Sequence, residues 1–205
     1  MASAPSPSGT KSFTGRMIRS KADLTYYIER DKERNIGDID FLSFWMKRIY
    51  KTDGMIAYLY LVSLRKYEYA LNCLYKKGLW GKIVTLYYKW VHHRKSIKYN
   101  IVIGPNMVGY GLRIAHVIGG GIIVNCKSMG NNCVVNVNVV VGNKHKTTDV
   151  PTIGDNVSLS TGCKVFGLIE IGNNVVVAPN AVVVKDVPDN CIVGGVPARV
   201  INKRL

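Results

Sequence analysis

Four histidines and five cysteines carry most of the reactive chemistry in this chain of 205 residues. His116 lies in the apolar, glycine-led stretch Gly-Leu-Arg-Ile-Ala-His-Val (111–117). A neutral imidazole can take the proton of an attacking alcohol, a service typically worth roughly a hundred- to ten-thousand-fold in rate. Taken alone, such a histidine reads better as a buried structural residue. His145 sits in a polar stretch, residues 142–150, where it either lines an acceptor site or stands as an exposed loop residue. His92 and His93 lie in the basic run Val-His-His-Arg-Lys and are expected on a solvated face. Zinc held by three histidines would need spaced histidines converging, and beyond residue 100 only His116 and His145 are present, so no metal is expected.

The cysteines (Cys73, Cys126, Cys133, Cys163, Cys191) show no CxxC pairing, and their odd number argues against a closed disulfide framework. Reduced thiols and a cytoplasmic location are the simpler account. Residues 1–98 hold 19 Lys/Arg against 8 Asp/Glu, and residues 99–205 hold 9 against 5. That excess suits anionic partners such as phosphate groups, an acidic glycan, a membrane surface or nucleic acid, or is simply a solvated basic surface. No known nucleic-acid module appears, so nucleic acid is not an expected partner. No uncharged apolar run is long enough to span a bilayer. Residues 1–18 read as a Ser/Pro/Gly-rich disordered leader or tag.

Two different periods must position these groups. Residues 19–98 place aromatic and aliphatic side chains at three- and four-residue spacing, which predicts three or four helices broken at Asp53-Gly54 and Lys77-Gly78. The stripe Tyr58, Tyr60, Tyr67, Tyr69 and Tyr75 is expected in the core and at a subunit contact. From residue 99 to 205 a six-residue period takes over, clearest in Ile153, Leu159, Val165, Ile171, Val177 and Val183. A second apolar series, including Val157, Cys163, Ile169, Val175 and Ala181, follows four residues behind. The same phase runs upstream through Met129, Val135 and Val141, then meets Thr147 inside the polar stretch. Short strands joined by tight turns, with one aliphatic inward per face, make a three-sided parallel β-helix. Its coils bury their interiors only by stacking. The expected fold is therefore mainly β, a β-helix behind a helical region, with flat faces suited to closed cyclic assembly.

Four segments carry a family resemblance: residues 111–117, Val-Pro-Thr-Ile-Gly-Asp-Asn (150–156), Gly-Cys-Lys-Val-Phe-Gly-Leu-Ile-Glu-Ile-Gly (162–172), and Ala-Val-Val-Val-Lys-Asp-Val-Pro (181–188) with Gly-Gly-Val-Pro-Ala-Arg-Val (194–200). Together they resemble the hexapeptide-repeat acetyltransferases, in particular the serine acetyltransferase branch and its relatives associated with surface polysaccharides. The resemblance implies a left-handed coil, acetyl-CoA as co-substrate and active sites between the subunits of a homotrimer. It places the catalytic base on His116 and CoA contacts on Thr161, Pro179, Val184, Lys185 and Arg199. His145 and Asp149 fall where the acceptor would lie.

Departures from the branch bear on the acceptor. Ala115 and Ile101 stand where the branch keeps aspartates, leaving Asp38 or Asp40, or a backbone carbonyl, to orient His116. Thr148-Asp149-Val150-Pro151 replaces an Asp-Arg-His-Pro element that holds the carboxylate of serine. The sequence thus favours acetylation of a sugar hydroxyl in polysaccharide biosynthesis, with serine acetylation as the alternative and a non-catalytic scaffold as the reading from another class.

Overall fold

A computed structural model describes residues 17–203. Among the described residues four α-helices come first: α1 (Lys21–Ile36), α2 (Phe41–Ile49), α3 (Asp53–Tyr69) and α4 (Leu79–Tyr99). Local chemistry sets their ends. The Ser20 hydroxyl accepts from the Asp23 N–H (3.0 Å) at the start of α1, and the Asp40 carboxylate accepts from Leu42 (3.2 Å) and Ser43 (3.4 Å) at the start of α2. A π-helical turn (Ala70–Leu74) prolongs α3, and the Thr85 hydroxyl bonds the Ala70 carbonyl there (3.1 Å). Gly54 could not be another residue without disruption: a Cβ there would lie 2.2 Å from the Asn35 carbonyl oxygen, so glycine lets α3 abut the end of α1. The chain then turns at Asn100 (φ 54°), a left-handed position that asparagine tolerates.

The rest is a left-handed parallel β-helix. Its first face is β1 (Ile101–Ile103), β3 (Ile122–Val124), β6 (Val140–Gly142), β9 (Lys164–Phe166) and β12 (Val182–Val183), paired in that order. The second face is β4 (Ser128–Met129), β7 (Thr152–Ile153) and β10 (Glu170–Ile171), extended by bridges at Val108 and Val187. The third is β2 (Arg113–Ala115), β5 (Val134–Asn136), β8 (Ser158–Leu159), β11 (Val176–Val177) and β13 (Cys191–Gly195), closed by antiparallel β14 (Ala198–Lys203). Ile153, Leu159, Val165, Ile171, Val177 and Val183 all point inward at 2% exposure or less, as their period predicts. The second series is buried with them, Cys133 and Cys163 included, and burial pushes both thiols up to about 12. Between the second and third faces Asn156, Asn174 and Asn190 take positive φ and pass side-chain hydrogen bonds down the stack (3.1 and 2.8 Å).

A buried ion cluster locks the helices to the first coil. The Arg65 guanidinium, 0% exposed, donates to Asp31 on α1 (2.9 Å) and Glu68 on α3 (3.1 Å). It also donates to the carbonyls of Val108 (2.9 Å) and Gly109 (2.5 Å) on the opening turns of the β-helix. The remaining carboxylate oxygens accept backbone N–H groups of the same turns, Asp31 from Leu112 (3.1 Å) and Glu68 from Asn106 (2.8 Å). Burial raises both carboxyl pKa values, and the charge of Arg65 offsets part of the rise.

Several helical expectations change. Of the tyrosine stripe only Tyr60 is in the core; Tyr58, Tyr67 and Tyr69 are half-buried and Tyr75 is exposed. The expected leader lies, through residue 16, outside the described residues. Ile18 is buried, and its carbonyl accepts from Asn72 (3.1 Å), so the packed region takes in a residue assigned to that leader. His92 is buried, not solvated: its ring meets Ser63 Oγ (3.2 Å) and the Ile103 carbonyl (3.4 Å) and stacks on Tyr67. Its place on the α4 face turned toward α3 overrides the polarity of its sequence neighbours, and His93, one residue on, is exposed.

Burial lowers the pKa of His92, against an opposing contribution from the Ile103 carbonyl. In the unfolded chain His92 therefore takes up a proton near the ordinary histidine value, while in the folded chain it stays neutral. Stability is full above that value and falls as pH drops from about 6.5 toward the lowered pKa. Thermal unfolding of wild type and His92→Gln across this window should show the steeper acid-side loss in wild type; parallel curves would contradict the assignment.

Candidate active site

His116 sits where the repeat is broken. Ala115 pairs with Asn136 and Ile123 with Val140, so the corner between β2 and β3 carries four residues more than the corner between β5 and β6. The extra length forms a 3-10 turn (Val117–Gly119), with His116 ahead of it in the left-handed region (φ 60°, ψ 39°). A non-glycine residue in that conformation needs outside support. Asp53, the first residue of α3, provides it: its carboxylate accepts the N–H of His116 (2.7 Å) and of Ile118 (3.2 Å). The imidazole itself is exposed and makes no hydrogen bond among the described residues. Asp40 is occupied capping α2, and neither it nor Asp38 bonds His116 among the described residues. In the sequence Asp53 reads only as half of a helix break, because its partner lies 63 residues away.

The other candidate residues divide between two edges of the first face. Thr161 and Pro179 are exposed at the corners between β8 and β9 and between β11 and β12, on the same edge as His116. The Lys164 ammonium joins that edge, held by the carbonyls of Asn138 and Gly162 (3.0 Å each). His145 and Asp149 lie in the loop between β6 and β7, and Val184 and Lys185 follow β12. Because the strands of this face run parallel, these four occupy the opposite edge, and one chain does not bring them to His116. His145 is exposed, and Asp149 closes a local turn, its carboxylate accepting the Lys146 N–H (3.3 Å). Arg199 is exposed on β14. Among the described residues no group of histidines, cysteines and carboxylates could hold a metal.

The same architecture recurs in solved structures. Serine acetyltransferase of Neisseria gonorrhoeae superposes with a TM-score of 0.65 at 24% identity, over 91% of this chain and 69% of that one. A serine acetyltransferase in complex with CoA gives 0.56 at 18% identity, over 87% of this chain and 68% of that one. The fold is that of the serine acetyltransferases. In sequence, serine acetyltransferase of Synechococcus elongatus is 37% identical over 97 residues, 46% of this chain and 39% of that protein. That of Bacillus pumilus is 38% identical over 96 residues, 46% of this chain and 44% of that protein. This chain thus spans about two fifths of the length of the curated relatives it matches. No family model matches it. These relatives bear the name of the serine branch, and the expected closeness to polysaccharide O-acetyltransferases finds no support among them.

Proposed function

We propose that the chain is an acyltransferase that moves the acetyl group of acetyl-CoA to a hydroxyl, with His116 as general base. The observation that carries this reading is the lengthened corner, which lifts His116 out of the repeat and is held by Asp53 in a fold shared with the serine acetyltransferases. The exposed imidazole would take the hydroxyl proton as the oxygen attacks the thioester carbonyl, then return it to the departing sulfur. The N–H groups of His116 and Ile118 are committed to Asp53, so the oxyanion must be met by other donors. Thr161 and Pro179 would line the CoA groove, and Lys185 and Arg199 are exposed cations suited to its phosphates.

The separation of these residues onto two edges supports a site shared between copies, in which the His116 edge of one subunit meets the Asp149 and Lys185 edge of the next. A cyclic trimer satisfies that geometry. Light scattering coupled to gel filtration should give three times the chain mass; a stable monomer at micromolar concentration would remove the shared site.

The acceptor that the relatives support is serine. One sequence feature favours a carbohydrate hydroxyl instead: by the resemblance, Asp149 and Val150 take the place of a cationic clamp for the serine carboxylate. Losing such partners forfeits charge-assisted hydrogen bonds worth roughly 1.5–3 kcal/mol each, and Asp149 adds repulsion. CoA release with L-serine against a panel of mono- and oligosaccharides, with mass spectrometry of the products, decides between them. O-acetylserine as the sole product upholds serine; acetylated sugar without O-acetylserine upholds the carbohydrate.

A further inference from the structure

Helix α4 has two working faces, and the fold uses one. Gly81, Thr85 and His92 are buried, and the Lys95 ammonium reaches the Leu59 carbonyl on α3 (2.6 Å). On the other side Trp80, Ile83, Leu86, Tyr87, Trp90 and Ile97 are all exposed, Trp80 at 78% and Trp90 at 59%. Their three- and four-residue spacing gathers them into one stripe along the helix. Lys82 and Lys89 run along one margin of that stripe. Arg94 and Lys98 stand in it near the C-terminal end, the Arg94 guanidinium 5.9 Å from the centre of the Trp90 ring. Between Glu68 and Asp149 the chain has no acidic residue at all.

We propose that this face of α4 docks on an anionic lipid bilayer, lying in the plane of its surface. Burying two tryptophans and neighbouring aliphatics at the acyl boundary while lysines and arginines meet lipid phosphates satisfies both halves of the face. Tryptophan and tyrosine, apolar bodies with a polar edge, suit the headgroup level. The helix lies on the bilayer and does not cross it: no described helix is long and apolar enough to span. A second copy that meets this face with the same face is a poorer occupant. A two-fold contact on this face sets Lys82, Lys89, Arg94 and Lys98 against their own copies with no acid on the helix to neutralise them.

The inference is independent of the acetyl-transfer reading, because docking is measured without acetyl-CoA. The full chain is sedimented with vesicles of phosphatidylglycerol and, separately, of phosphatidylcholine, and tryptophan emission is followed. Wild type should bind phosphatidylglycerol at least about tenfold more tightly than phosphatidylcholine, with a blue-shifted emission. The double variant Trp80→Gln/Trp90→Gln, unchanged in charge, should bind at least about tenfold more weakly while its circular dichroism and thermal unfolding match wild type, since both side chains are exposed. Three results would overturn the proposal. Wild type could fail to sediment with phosphatidylglycerol. The double variant could bind as well as wild type, which assigns binding to the net charge of +15 alone. Or the assembly mass could drop in the double variant without lipid, which assigns the face to a second copy.

Discussion

Replacing His116 with asparagine is expected to leave the β-helix folded and to lower acetyl transfer by at least about a hundred-fold. Asparagine is the informative substitution. Like the residues at several corners of this coil it accepts the left-handed conformation, so the backbone at φ 60° gains no strain. Its amide cannot accept a proton near neutral pH, so only the base is removed. Binding of CoA should be unchanged, which steady-state kinetics would show as a fall in kcat at similar KM. Asp53→Ala acts one step further out. It frees the N–H groups of His116 and Ile118 without touching the imidazole, and a smaller loss of about ten-fold from misplacement is expected. Near-normal turnover in His116→Asn would take His116 out of the mechanism.

The second large effect is on stability. Arg65→Ala should destabilise the fold by about 3–5 kcal/mol, because it leaves the buried Asp31 and Glu68 facing each other without their cation. It also strips the carbonyls of Val108 and Gly109 of their donor. Arg65→Lys should be intermediate: an ammonium keeps the charge but cannot span four acceptors as the planar fork does. Urea unfolding followed by circular dichroism measures both. A midpoint for Arg65→Ala close to wild type would show that the cluster does not couple the helices to the β-helix.

What the sequence reveals and conceals here follows from the range of the interactions. The β-helix is legible because its rule is local and repeated: each sixth residue must be small enough and apolar enough to fill the interior. Thr147 marks the loop by breaking that rule. His116 is legible through its motif, although the four added residues of its corner emerge only once the strands are paired. Asp53 is not legible, because its role is a contact across 63 residues and its neighbour Gly54 explains it as a helix break. The Arg65 cluster is hidden for the same reason: its partners are 34 residues away on α1 and 43 or more away on the first coil, while each charge alone looks like a solvated helix position. His92 misleads because basic neighbours mask a position that the helix turns inward. In each case pairing between distant elements, which no local pattern encodes, decides the outcome.

Transfer of an isotopically labelled acetyl group shows whether His116 serves as the base in acetylation of a hydroxyl. Wild type and His116→Asn are incubated with labelled acetyl-CoA and the acceptor panel, and the products are weighed by mass spectrometry. Label is expected on an acceptor oxygen with wild type, and at most a trace with His116→Asn. Wild-type chain that binds acetyl-CoA yet transfers no label to any hydroxyl, or equal transfer by both proteins, would contradict that role.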